Sequence, residues 1–199
     1  MKDFSFPKNY FQLIAMGAST GGTEALLAVL EKLPGNLPPI VITQHMPPVF
    51  TNMYAERLNR ICKMEVREAK DGDELYSGLC LIAPGGLQMR VHKDVLGARV
   101  SCTEEEKVSG HCPSVDVLFH SVAEQYEASA IGILLTGMGK DGAKGLLAMH
   151  EQGAYTLGQD EKSSVVYGMP MEAYKLGAVS QQGNLEQIPQ YLLQRLRFS

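Results

Sequence analysis

No stretch of the sequence reaches the roughly 18 consecutive apolar residues that would mark a membrane-spanning helix. The opening residues MKDFSFPKNYFQ also lack the apolar core of a secretory signal. The expectation is a cytoplasmic protein with no direct membrane insertion. Cysteine is sparse and dispersed: Cys62, Cys80, Cys102 and Cys112 include no C-x-x-C pair. That excludes a zinc-ligand spacing and an obvious disulfide framework, and leaves four reduced packing residues. No excess of basic charge exists either, since the net charge is -4 and lysines and arginines are scattered rather than striped. Nucleic-acid binding therefore drops out as a leading reading. Internal repeats, low-complexity tracts and linkers are missing as well. What remains is 199 residues with 45% hydrophobic content, enough to bury one substantial core. A single domain over residues 1–199 is expected, with residues 1–12 as an N-terminal extension and a monomer as the default state.

Strand-like and helix-like patterns alternate along the chain. FQLIAM is a short apolar strand, and Gly22 to Leu33 carries Ala25, Leu26, Val29, Leu30 and Leu33 at three- and four-residue spacing, an amphipathic helix. Ile40, Val41 and Ile42 begin a second strand, and Val49 to Arg60 follows as a helix with Phe50, Met53, Tyr54 and Leu58 on one face. The segments GLCLIAPGG, LQMRVHKD and LGARVSC are turn-bounded β stretches with no helix between them, and predict hairpins. Helical alternation then returns, with Ser114–Gln125, the strand SAIGILLT, Asp141–Gln152, the strand AYTLG and a closing helix over Asn184–Leu196. The sum is an α/β fold, a three-layer, largely parallel doubly wound sheet with an antiparallel hairpin insertion.

Three turns follow strands at the carboxyl edge of such a sheet, where open α/β folds place their sites. Gly17-Ala18-Ser19-Thr20-Gly21 fits G-x-S-x-G between a strand and a helix, a turn that exposes a nucleophilic hydroxyl and offers the next N–H to an oxyanion. A phosphate loop competes, but Thr23 stands where that loop needs lysine. Ser19 as a mere helix cap is the plainest alternative. The second turn, QHMPP, puts His45 just beyond a strand, the usual residue for a base of near-neutral pKa. The third, TGMGKDG, surrounds Asp141 with glycines, where the default role of an aspartate is to cap the following helix. As the partner of an imidazole it would instead hold the base in its useful tautomer. Asp116 with His120, and Asp141 with His150, fall inside helical stretches and are set aside. Three suitable side chains at the ends of three strands favour a serine hydrolase with Ser19, His45 and Asp141 as its catalytic residues. Their order differs from that of α/β-hydrolases, so the likeness to that fold's elbow is convergent.

The blocks AMGASTGG, QHMPPVFT, IAPGGLQMRV, PSVDVLFHSVA, LLTGMGKDGAKGL and QDEKSSVVYGMPMEA, in that order from Leu13 to Leu196, resemble the catalytic domain of the chemotaxis protein-glutamate methylesterase (CheB) family. The resemblance implies hydrolysis of glutamyl methyl esters on the cytoplasmic helices of chemoreceptors, in many members with glutamine deamidation as well. It implies the same three catalytic residues, places Thr20 and Met138 in the site near the oxyanion, and calls for no metal or organic cofactor. Two positions depart from the family pattern: Cys112 and Met171 stand where basic residues are common. Regulated members carry a receiver domain ahead of the catalytic one, whereas about a dozen residues precede the first strand here. The expectation is therefore an esterase without a receiver, either standing alone or trimmed from a longer chain. Two other classes compete: a non-catalytic chemosensory binding module of the same fold, and a hydrolase of small esters.

Overall fold

The computed structural model of the chain describes residues 12–197. The expected N-terminal extension, Gln12 apart, lies outside them, as does Phe11 at the start of the first strand pattern. In chain order the elements are β1 (Leu13–Ala18), α1 (Gly22–Leu30), β2 (Ile40–Gln44), α2 (Phe50–Ile61), β3 (Glu65–Glu68), β4 (Leu79–Ile82), β5 (Gln88–Asp94), β6 (Gly97–Thr103), α3 (Val115–Tyr126), β7 (Ala130–Leu134), α4 (Ala143–Glu151), β8 (Tyr155–Gln159), α5 (Met169–Lys175), β9 (Gln181–Gly183) and α6 (Gln187–Arg197).

Seven strands form one sheet in the order β3-β4-β2-β1-β7-β8-β9, and β5 and β6 pair apart from it as an antiparallel hairpin. Every pairing in the large sheet is parallel. Its central strands are buried on both faces, which explains why their sequences are continuous apolar runs. Alternate residues still serve different layers. Leu13 and Ala15 join a core built with Leu118, Phe119 and Val122 of α3 and Leu146 and Met149 of α4. Ile14 and Met16 point to the other face, against Leu26 and Val29 of α1, Leu58 of α2 and Leu192 of α6. That period-two division produces the three layers.

Three details differ from the sequence expectation. LCLI is not part of a hairpin: as β4 it pairs in parallel with both β2 and β3. The β3–β4 crossover is a loop, so it carries no helical periodicity to announce it. The strands β3 (EVRE) and β9 (QQG) go unanticipated because they are edge strands that gain their place by main-chain pairing, and only Val66 and Gly183 are buried in them. The short helix α5 also has no clear periodicity, and begins with Met169-Pro170. Among the described residues no helix is long and apolar enough to cross a membrane.

The chain lays β2, β4 and β3 on one side of β1 and then returns to put β7, β8 and β9 on the other. Beyond the carboxyl ends of β1, β2 and β7 this reversal opens the crevice where doubly wound sheets carry their sites.

Candidate active site

Ser19 follows the last residue of β1 and is half-buried. Its N–H donates to the Thr136 carbonyl at 2.9 Å, and its carbonyl accepts from the Gly22 N–H at 2.7 Å. The turn closes because Gly21 adopts φ 78°, a left-handed conformation that a side chain would strain. Helix α1 has no side-chain cap, so the hydroxyl of Ser19 is not spent on helix capping. The β7 turn presses directly on this corner. A Cβ at Gly137 would sit 2.8 Å from Ser19 Cβ, so only glycine permits the approach.

His45 follows β2 in the same way, and the register pairs Ala18 with Gln44, which makes Ser19 and His45 the next residues on neighbouring strands. The His45 N–H donates to the Ala18 carbonyl at 3.2 Å. Beneath them the buried amide of Gln44 donates from Nε2 to the carbonyls of Ser19, at 3.0 Å, and His45, at 3.4 Å. One side chain thus ties the two turns together.

Asp141 is buried, with four donors converging on it. Oδ1 accepts from Ser114 Oγ at 2.7 Å and the Asp116 N–H at 3.1 Å; Oδ2 accepts from the Val115 N–H at 2.7 Å and from His45 Nε2 at 2.7 Å. Three of these donors are the first groups of α3, whose N-terminus favours negative charge. Burial alone would push the Asp141 carboxyl up. The hydrogen bonds from His45, Ser114, Asp116 and Val115 outweigh it and hold the group below the usual carboxylate range. The default role does not apply: Gly142 is the N-cap residue of α4, without side-chain capping, and Asp141 serves the start of α3 instead.

An ionised carboxylate only accepts, so His45 Nε2 carries the proton in that bond. The other ring nitrogen, Nδ1, is therefore an acceptor, and it is buried with no partner among the described residues. The imidazole is 9% exposed. A second imidazole, that of His111, stacks on it with ring centroids 3.6 Å apart and planes 8° from parallel. Thr20 is exposed beside Ser19, and Met138, next to Gly137, is 66% exposed. The N–H of Ser19 is committed to Thr136 and that of Gly137 to Val166, so the donors next along each turn are those of Thr20 and Met138.

Sequence reasoning missed His111, Gln44, Ser114 and Thr136. Gln44, beside His45 in QHMPP, and Ser114 of PSVD lay inside motifs already noted, but their contacts are long-range. Of the residues set aside, Asp116 lends its N–H to Asp141 while its carboxylate accepts from the Gly145 N–H at 2.7 Å, and His150 Nδ1 faces Thr156 and Ser180.

Residues 14–192 match the family model for CheB methylesterase. The chain belongs to the CheB methylesterase family. It is 56% identical over 180 residues to protein-glutamate methylesterase/protein-glutamine glutaminase 2 of Syntrophomonas wolfei, covering 90% of this chain and 53% of that one. The protein-glutamate methylesterase/protein-glutamine glutaminase of Salmonella typhimurium is 49% identical over 185 residues, 93% of this chain and 53% of the other. The crystal structure of the Thermotoga maritima CheB methylesterase catalytic domain superposes with a TM-score of 0.91 at 33% identity, over 94% of this chain and all of that one. The chain thus spans about half the length of the curated relatives it matches and the whole of a solved CheB catalytic domain. Of the two positions where basic residues were expected, Cys112 lines a cleft of about 500 Å³ together with His45, Pro47 and His111. Met171 lies half-buried in α5.

Proposed function

We propose that this chain is the catalytic unit of a protein-glutamate methylesterase, with Ser19 as nucleophile, His45 as base and Asp141 as the group that orients and charges the base. The observation that carries the reading is the state of His45. One ring nitrogen is hydrogen-bonded to a buried carboxylate at 2.7 Å, and the other is buried with no partner among the described residues, on the residue next in register to the serine turn.

Attack of Ser19 Oγ on the ester carbonyl transfers the hydroxyl proton to His45 Nδ1 and forms a tetrahedral oxyanion. The backbone N–H groups of Thr20 and Met138 receive its charge; loss of one such donor lowers rates on the order of 100- to 1000-fold. Collapse breaks the ester C–O bond, and His45 returns the proton to the departing methoxide as methanol. Water then attacks the glutamyl-Ser19 ester, giving up a proton to His45, and the second collapse restores Ser19 and leaves glutamate. Deamidation of glutamine follows the same steps with ammonia as the leaving group.

Val49, Phe50, Met53, Met138 and Val165 are all more than half exposed, and they belong to or adjoin the turns that carry Ser19 and His45. An apolar rim of this kind suits a macromolecular partner better than a small ester. The methylated cytoplasmic helices of chemoreceptors, and hence a cytoplasmic site of action, are the reading it supports.

The test is methanol release from receptor-containing membranes carrying labelled methyl esters, with the wild type beside Ser19→Ala. Release that vanishes in the variant is the expected result. No release from folded wild-type protein would turn the reading toward a binding module.

A further inference from the structure

The stack of His111 on His45 has no part in the steps above, and its geometry is unusual. Two neutral aromatic rings avoid direct face-to-face overlap because their quadrupoles repel, and choose offset or edge-on arrangements. Here the rings are 3.6 Å apart and within 8° of parallel. The main chain that carries the His111 ring is held firmly. Its N–H donates to the Val108 carbonyl at 2.9 Å and its carbonyl accepts from the Val108 N–H at 3.0 Å. The carbonyl also accepts from Gln88 Nε2 at 3.2 Å, and Gln88, fully buried, takes the Ser114 N–H on its other end at 2.8 Å. The clamp that positions His111 is thus anchored at the same turn that holds Asp141.

We propose that His111 is a positioning residue that fixes the ring plane of His45 and stabilises the imidazolium formed there when Ser19 gives up its proton. This rests on the reading of Ser19, His45 and Asp141 given above. A hydrogen bond at Nε2 holds one edge of the His45 ring but leaves it free to rock about that edge; a flat surface on its face removes that freedom. Before the reaction the stack gains little. When His45 becomes a cation, the same geometry places positive charge over a π face, which is attractive. An interaction that strengthens on the way to the transition state raises kcat rather than lowering KM. The role requires His111 to be uncharged. Burial first, and then the neighbouring His45 and Lys107, push its imidazole below the usual histidine range against the opposing pull of Asp141. Glu104 and Glu105 line the same cleft.

The experiment compares His111→Phe, His111→Leu and His111→Lys with the wild type and Ser19→Ala, all in the full chain. Methanol release gives kcat and KM, the rate of covalent labelling by a fluorophosphonate reads activation of Ser19 without receptor, and thermal unfolding checks folding. Phe keeps the flat face and should hold kcat and labelling within about three-fold of wild type. Leu fills the space without a π face, and should lower both roughly 2- to 30-fold with KM unchanged, the range expected for a cation over a ring. Lys, a cation against the base, should fall further. If Leu matches the wild type while Ser19→Ala is silent, or if Phe and Leu fall alike through KM, the proposal is overturned and the catalytic reading stands. If Ser19→Ala releases methanol like the wild type, that reading fails and the role of His111 falls with it.

Discussion

Replacing Asp141 with asparagine keeps the shape of the side chain and reverses the hydrogen-bonding sense of one of its ends. The carboxylate accepts four bonds, two on each oxygen. An amide NH₂ in place of Oδ2 would face the Val115 N–H and His45; in place of Oδ1 it would face the Asp116 N–H and the Ser114 hydroxyl. Either way the two bonds on that side lose their charged acceptor, at about 1.5–3 kcal/mol each. Relief from burying a charge offsets part of that. The net loss should be about 2–4 kcal/mol, a fall in Tm of roughly 4–16 °C for a domain of this size. The catalytic consequence is larger. In the orientation that puts the NH₂ group on His45 and keeps both bonds to Oδ1, Nε2 becomes an acceptor, which moves the imidazole proton to Nδ1 and removes the lone pair that Ser19 needs. A loss of about 10³–10⁴-fold in kcat is expected, as for a base held in the wrong tautomer. Methanol release and fluorophosphonate labelling, measured at a temperature where circular dichroism shows the variant folded, provide the assay. A folded Asn variant within ten-fold of wild type would refute the reasoning and reduce Asp141 to a cap for α3.

Acid stability follows from the same site. Because the folded Asp141 lies below its unfolded value, near 3.9, its contribution is complete above about pH 4 and is lost as pH falls through the folded value. Urea midpoints should therefore drop on acidification below about pH 4, and drop less steeply in Asp141→Asn; parallel slopes would contradict this. Gln44→Leu removes the donor that ties the carbonyls of Ser19 and His45. It should destabilise by about 1–3 kcal/mol in urea unfolding and lower kcat more than it changes KM; an unchanged kcat would argue against the tie. Gly137→Ala places a methyl 2.8 Å from Ser19 Cβ. Its labelling rate should fall by about two orders of magnitude, on the scale of a misplaced nucleophile, and wild-type labelling would disprove the close approach. Val49 adopts φ 75° although β-branched, and is 70% exposed. Strain on the order of 1–3 kcal/mol exceeds the entropy that glycine adds to the unfolded chain, about 0.5–1 kcal/mol, so Val49→Gly should raise Tm by a few degrees; a lower Tm would show the turn to be unstrained.

Much of this protein was legible from local pattern. The apolar runs at Leu13–Ala18, Ile40–Gln44 and Ala130–Leu134 identify buried parallel strands, and the glycine-rich turns after them identify an edge crowded with backbone. The same turns singled out Ser19, His45 and Asp141 as candidates, and the six ordered blocks pointed to the family. Those signals are short-range: propensity, periodicity and turn chemistry reside in neighbouring residues. Where position depended on main-chain pairing, local pattern was silent, as in the polar edge strands Glu65–Glu68 and Gln181–Gly183, or misleading, as in the supposed hairpin at Leu79–Ile82. The site itself needed tertiary structure for a related reason. Ser114 and Asp141 are far from His45 in the chain, yet Asp141 bonds its ring at 2.7 Å and Ser114 holds that carboxylate from behind at 2.7 Å. Which nitrogen of that ring carries the proton depends on a carboxylate delivered from another strand, and the ionisation of that carboxylate depends on the N-terminus of α3. Burial makes those long-range hydrogen bonds obligatory, and only the packed sheet brings their partners together.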